Sequence, residues 1–305
     1  MRIVSLLPAA TEVCFALGLG GDVVGVSPEC DFPPAAREKP VVSRGLLDFE
    51  GKGSGETSRI VGERLESGGA LYHVEENALR SAEPDLILTQ GLCDVCAPTL
   101  GDVEEVASRL PMRPTILSLD PHSLGDILRD IRRVASAAGV EDRATEVVDV
   151  LRDRIRNVEG RATRASARPK AVCLEWLDPL FTAGHWVPEL VALAGGEEVL
   201  GRPGQPSRRV DPRDILMAAP DVAVLMPCGF DLGRTEKEAP VVTQATWFRD
   251  LPAARRDRVW LVDGSSYFNR PGPRVVDGLE ILGHILHPDL FPRLPRLGDA
   301  RPWVG

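Results

Sequence analysis

The chain has 305 residues, a formal net charge of −9, 43% hydrophobic residues and 27% charged residues. That length favours two domains or one large one, and the composition is ordinary for a soluble globular protein. The acidic balance argues against nucleic acid or an anionic membrane as main partner, and no apolar run approaches the roughly 18 residues of a membrane span, so membrane insertion is not expected.

In chain order, Arg2 to Leu7 reads as a buried strand, and Pro8 to Leu17 as a helix with Pro in its first turn and Gly18 past its end. Val23 to Val26 is a second strand. Residues 37–58, rich in Gly and charge, read as an exposed, mobile loop. Short helices at Ile60 to Leu65 and Asn77 to Ala82 flank a strand at Gly69 to Val74. The apolar run in PDLILTQ is a buried strand, followed by GLCDVCAPT. Val103 to Leu110 reads as a helix, Thr115 to Leu119 as a strand, and Ser123 to Ala138 as an amphipathic helix.

The stretch Glu141 to Arg164 places Ala144, Val147, Val148, Leu151, Ile155 and Val158 in one stripe at helical spacing, with Asp149–Arg152 and Asp153–Arg156 a turn apart. Such a helix is about 35 Å long, and it lies between two α/β patterns, as a strut or as one more crossover helix. The second pattern has strands at Lys170 to Glu175, Asp221 to Met226 and Val259 to Val262, with helices at Glu189 to Ala194, Asp211 to Ala218 and Val275 to Leu286. The Pro-rich tail after His287 is expected to be loosely ordered. The halves echo one another: LRSAEPDLILTQG and ILMAAPDVAVLMP are each a helix, Ala-x-Pro-Asp and an apolar strand. We therefore expect an α/β fold of two Rossmann-like lobes, residues 1–140 and 169–305, joined by a single long helix in 141–168, with a ligand cleft between the lobes.

In open parallel sheets ligands bind beyond the carboxyl ends of the strands. Those loops contain Glu29, Cys30 and Gln90 in the first half, and Trp176, Phe181, His185, Trp186, Phe230, Tyr267, Phe268 and Arg270 in the second. Aromatics are only 5% of the chain, so their concentration there suits a small-molecule site; rings packed under their own loops are the plainer reading. Arg270 and Arg274 suit a ligand carboxylate or phosphate, or surface acids. Cys93-x-x-Cys96, with Cys30, Cys228 and His185 on neighbouring loops, suits zinc or another soft metal, redox chemistry, or reduced buried thiols; Cys14 and Cys173 sit inside a helix and a strand and suit core packing. No GxSxG, P-loop or HExxH is present, so no catalytic residue is assigned. The opening MRIVSLLPAATE runs straight into a strand, without a signal peptide or lipid-anchor Cys, and places the chain in the cytoplasm with reduced cysteines; a start trimmed of its leader would make it periplasmic or extracellular.

RIVSLLPAATEVCFALGLGGDVVGVSPECDFPP, PDLILTQG, LDPLFTAGHWVPELVALAGG and SSYFNRPGPR together resemble the cobalamin- and iron-siderophore-binding proteins of bacterial ABC importers, the cobalamin-binding-like branch of the class III periplasmic-binding-protein-like fold. The resemblance covers nearly the whole chain. It implies two lobes on one long helix, little hinge motion, and ring contacts at or near Phe181, Tyr267 and Phe268. Glu29 stands where cobalamin binders have a Tyr, and Gln90 where they have a Trp. The acids that dock on a permease are replaced by Asn77 and Arg213, with Glu76 and Asp214 one residue away. The expected function is small-molecule binding, of cobalamin or another corrinoid or metal chelate. No cofactor is required, and His185 or a thiolate is a candidate cobalt ligand. An ABC permease is the possible partner. The rivals are a cytoplasmic metal- or thiol-dependent enzyme on the same scaffold and an intracellular corrinoid carrier.

Overall fold

The computed structural model describes residues 1–92, 97–294 and 298–304. Cys93 and Cys96 lie outside the described residues. The chain forms two compact units: Met1–Lys52, Arg59–Pro121 and Gly125–Val150 in the first, and Gly53–Ser58, His122–Leu124 and Leu151–Gly305 in the second.

In the first unit, strands β1 (Ile3–Ser5), β2 (Val23–Val26), β5 (Leu86–Thr89) and β6 (Thr115–Ser118) make a four-stranded sheet in the order β2-β1-β5-β6. All its pairings are parallel. Parallel strands covered on both faces read as unbroken apolar runs, and Ile3, Val4, Leu86, Ile87 and Leu88 are all at most 1% exposed. The helix α1 (Pro8–Ala16) starts on Pro8, whose fixed φ suits a first turn. Helices α3 (Glu76–Ala82), α4 (Leu100–Ser108) and α5 (Leu124–Ala138) follow, and Val4, Leu6, Leu79, Ile87 and Val103 form the core. Thr99 caps α4 by accepting from the Asp102 amide at 3.2 Å.

The 37–58 loop expected from the sequence is partly ordered. Strand β3 (Ser43–Gly45) pairs antiparallel with β4 (Tyr72–Val74), and helix α2 spans Ser54–Glu66 rather than 60–65. Ser54 at its start donates its amide to the Glu238 carboxylate at 2.7 Å, a partner 184 residues away that no local pattern shows.

The second unit has the sheet β10-β8-β7-β11-β12-β13, with β9 also on β7. Strands β7 (Lys170–Leu177), β11 (Val222–Leu225) and β12 (Val259–Val262) form its parallel centre. β8 (Leu180–Thr182) turns back antiparallel on β7, and β10 (Arg208–Arg209) extends that edge. β9 (Glu197–Glu198) runs parallel to β7. Helices α7 (Val187–Leu193), α8 (Pro212–Ala218) and α14 (Val275–Leu286) match the sequence reading to within two residues, while residues 232–255 fold into four short helices, α9 (Leu232–Glu238), α10 (Pro240–Thr243), α11 (Thr246–Arg249) and α12 (Pro252–Arg255). A further single turn, α13 (Gly264–Tyr267), follows β12. The tail is not loose throughout: Phe291 is 5% exposed, and β13 (Ala300–Pro302) closes the sheet antiparallel to β12.

The repeated Ala-x-Pro-Asp does the same work in both units. Each helix ends on a left-handed residue before the proline, Glu83 at φ 43° and Ala219 at φ 48°. The aspartate then pins the start of the neighbouring strand. Asp85 donates its amide to Arg2 O at 2.8 Å and accepts from the Arg2 amide at 2.7 Å. Asp221 does so with Lys170, at 2.7 and 3.1 Å.

Helix α6 (Glu141–Ala162) is continuous, about 33 Å at 1.5 Å per residue. Ala144, Val148, Leu151, Val158 and Ala162 form its buried stripe. Its residues through Val150 belong to the first unit and those from Leu151 to the second. In the first unit Arg143 donates to Leu17 O at 3.1 Å. In the second, Arg154 holds α14 by donating to Glu280 at 2.9 Å and to Asp277, and Arg161 lies over the Phe291 ring at 4.3 Å.

Candidate functional site

The richest chemistry collects at the carboxyl end of the second unit's parallel strands. Trp176, near the end of β7, lies directly opposite Phe181 on β8, so both rings stand on one face of the hairpin. The Phe230 ring, in the loop after β11, packs edge-on against Trp176 at 5.4 Å. The Arg234 guanidinium lies 3.8 Å from the Phe230 ring centre, a cation–π arrangement. Burial lowers the Arg234 pKa from its usual value, against the raising influence of Glu238 and Asp231. The Trp176 indole N–H is shared between Ser58 Oγ at 2.7 Å and Asp178 O at 2.9 Å, which fixes the ring.

The loop after β12 stands beside this group, since the Ser265 amide donates to Phe230 O at 3.1 Å. Asp263 caps the turn α13 by accepting from the Ser266 amide at 2.7 Å. Burial raises its carboxyl pKa, while Ser266 and, more weakly, Arg274 and Arg270 act to lower it. Arg270 is half-buried. Arg274 is buried, 5.7 Å from the Tyr267 ring centre.

Burial sorts the aromatic candidates. Trp186, Phe230, Tyr267 and Phe268 are each 5% exposed or less, whereas Trp176 and Phe181 are half-buried. Trp186 donates its indole N–H to Phe268 O at 2.9 Å, so this pair braces the loops from beneath. Of these rings, Trp176 and Phe181 keep part of their surface exposed, next to the buried Phe230.

His185 sits in the adjoining loop. Its backbone is left-handed, at φ 51°. The His185 amide donates to Gln205 O at 2.6 Å, and the Gly204 amide donates to His185 O at 2.9 Å. Gly184 before it has no room for a side chain: a Cβ there would meet Ser207 N at 2.3 Å. The His185 ring centre is 5.5 Å from His122 and 5.6 Å from Trp186. Burial, then the neighbouring His122, lowers the His185 pKa below 6.5. His122 is a residue the sequence reading missed; 63 positions separate it from His185, and no motif joins them. Arg234 was missed too, in a helix that no periodicity revealed.

The first unit's carboxyl-end loops are polar. The Cys30 thiol is buried, 3.0 Å from Thr11 Oγ1 and 3.3 Å from Ser27 Oγ. Its pKa is raised by burial, against hydrogen bonds from Ser27 and Thr11. Gln90 is buried, Glu29 half-buried, and Asp120 accepts from the Gly91 amide. Among the described residues no three His, Cys, Asp or Glu side chains gather as a metal cluster. The half-buried Cys228 donates its amide to Glu175 O at 2.9 Å. Cys14 and Cys173 are buried, and burial pushes the Cys14 thiol up to about 12 and that of Cys173 well above 9.0. A cavity of about 550 Å³ lined by Arg164, Asp257, Arg258, Trp260 and His287 lies elsewhere, by the amino end of β12, and includes none of the candidate residues.

The periplasmic binding protein family model matches residues 3–265. The vitamin B12-binding protein of Vibrio cholerae serotype O1 is 24% identical over 282 residues, 92% of this chain and 86% of that protein. The periplasmic heme-binding protein RhuT from Roseiflexus sp. RS-1, in apo form, superposes with a TM-score of 0.71 at 22% identity, over 95% of this chain and 98% of that one. The periplasmic vitamin B12-binding protein BtuF of Vibrio cholerae gives 0.66 at 22% identity, over 93% and 96%. The structural likenesses establish the two-domain α/β fold. The cytoplasmic placement expected from the N-terminus is overturned by these relatives, which point to the periplasm or cell exterior; a start without an apolar leader is no argument against them. The redox reasoning for reduced thiols falls with that placement, although Cys14, Cys30, Cys173 and Cys228 are free in the structure.

Proposed function

The chain belongs to the periplasmic binding protein family, and we propose that within it the protein is an ABC-importer substrate-binding protein for cobalamin or another corrinoid or metal macrocycle. The observation that carries this reading is the Trp176–Phe181–Phe230 surface with Arg234 on its flank. Flat rings suit a large planar ligand; Trp176 and Phe181 are partly exposed, and the Trp176 indole is fixed by Ser58 and Asp178, so little entropy is lost when such a ligand docks. Arg234 beside them, and Arg270 in the loop after β12, suit polar or acidic groups at the ligand's rim. The relatives fit the same class, being named for vitamin B12 and heme. Membership of a family of binding proteins favours carriage over turnover, and the enzyme reading has no comparable support.

A permease is the expected partner. Acids stand in the first turn of α3 in one unit, Glu76, and of α8 in the other, Asp214. Glu76 is already engaged by Arg80 at 2.8 Å and Arg109 at 3.3 Å, and Asp214 belongs to a capping box with Asp211. Docking on either acid would have to share it with these partners.

The test is spectroscopic titration of the purified protein with cyanocobalamin and, separately, with hemin. Saturable binding near one equivalent, with the ligand recovered unchanged, is expected for one of them. Trp176→Ala should weaken it on the order of 10-fold or more, about 1.4 kcal/mol. Indifference to both ligands would overturn the reading, and tight binding that ignores Trp176→Ala would move the site elsewhere.

A further inference from the structure

We propose that His122 and His185 form a two-imidazole site for a free divalent transition-metal ion of the Cu²⁺, Ni²⁺ or Zn²⁺ class. Both residues belong to the second unit, and their ring centres are 5.5 Å apart with the planes tilted by 47°. That separation distinguishes the ways two imidazoles share a metal. With a metal–nitrogen bond of about 2.1 Å and the ring centre about 1.2 Å beyond the nitrogen, each centre lies about 3.3 Å from the ion. Two rings at a tetrahedral angle then stand about 5.4 Å apart, and two rings on opposite sides of a macrocycle's metal about 6.6 Å. The observed pair fits convergence on one small ion and falls short of the spacing for ligands clamping a planar chelate. Imidazole nitrogen is a preferred donor for this class of ion.

The loops that carry the rings are tied down. His185 is held on both backbone sides by the 204–205 turn, in the left-handed conformation that sets its ring direction. The His122 segment is tied to the helix that begins just after His185, because the Leu124 amide donates to Glu189 at 2.8 Å. Two imidazoles leave further coordination positions open to water or to a donor group on a bound molecule. This assignment does not depend on which macrocycle, if any, the aromatic surface carries.

The test uses the full chain in a Cys93→Ser/Cys96→Ser background, which removes the C-x-x-C thiols of the sequence as competing ligands. Cu²⁺ is titrated while Trp fluorescence is followed, since the Trp186 ring is 5.6 Å from His185 and a copper ion at the pair quenches it. Electron paramagnetic resonance of the copper complex counts its nitrogen ligands. Two imidazole nitrogens at one equivalent are expected, with His122→Ala and His185→Ala each weakening binding on the order of 10-fold or more and the double variant losing the site. His122 is exposed, so His122→Ala should melt like the parent, which keeps the comparison interpretable. Copper binding with one nitrogen, or an affinity indifferent to His122→Ala, would overturn the proposal. Cobalamin or hemin affinity measured on the same variants reports separately on the aromatic surface.

Discussion

Glu198 carries a clear pH signature at the scale of a single residue. The residue as a whole is half-buried, but its carboxylate is the enclosed part, accepting from the amides of Cys173 at 3.0 Å and of Leu200 and Gly201 at 3.1 Å. Burial outweighs these donors and pushes its pKa from 4.5 to about 7. A carboxyl raised on folding binds a proton more readily in the native state than in the unfolded one. Its contribution to stability is therefore complete below about pH 4.5 and is lost as pH rises through about 7. Denaturant midpoints measured from pH 4.5 to 8 should fall more for the parent than for Glu198→Gln, whose side chain does not titrate; parallel curves would show that the carboxyl is not shifted. Asp221 gives a second prediction at this scale. Asp221→Ala removes the acceptor for the Lys170 amide and the Arg256 guanidinium and should cost about 1 kcal/mol in chemical denaturation, with Asp221→Asn costing less because it keeps an oxygen.

Among the elements, α6 depends on what it is tied to. Its ion pairs along the helix are exposed and worth little, as between Asp153 and Arg156. Arg154 differs, for it meets both Asp277 and Glu280 of α14 with only a third of its own side chain exposed. Arg154→Met keeps the stem's packing and leaves two neighbouring carboxylates without their shared cation. A loss of about 1–3 kcal/mol in urea unfolding is expected, and a change within about 0.3 kcal/mol would place the clamp among the inert surface pairs. The sequence shows such elements unequally. Buried parallel strands and the striped helices α5, α6 and α14 were legible because their apolar spacing is set by the surface they bury. The turns α9 to α12, the pairing of β3 with β4 and the return of β13 were not, because each is too short for a period and rests on partners far along the chain. The site divides the same way. The loops were found from strand ends, but whether a ring faces out, as Trp176 does in part, or braces the loop from beneath, as Phe268 does, is decided by packing. The pairing of His122 with His185 is likewise a product of the fold.

For the whole molecule, binding and stability are one linked quantity. A carrier that binds its ligand only when folded gains RT ln(1 + [L]/Kd), about 2.7 kcal/mol at a free ligand concentration one hundred times Kd. The gain should keep growing with the logarithm of ligand concentration after the site is saturated, and it requires no turnover. Thermal melts across a cobalamin or hemin series, with affinity measured independently by titration, therefore test the carrier reading without assuming a transporter. A midpoint that rises with ligand by the amount the measured Kd requires, in the parent and less in Trp176→Ala at the same concentration, is the expected result. A ligand that binds by absorbance yet leaves the midpoint fixed would be binding folded and unfolded chain alike. Adsorption to exposed aromatic side chains has that signature, whereas a site built from the ends of β7, β11 and β12 exists only while those strands are paired.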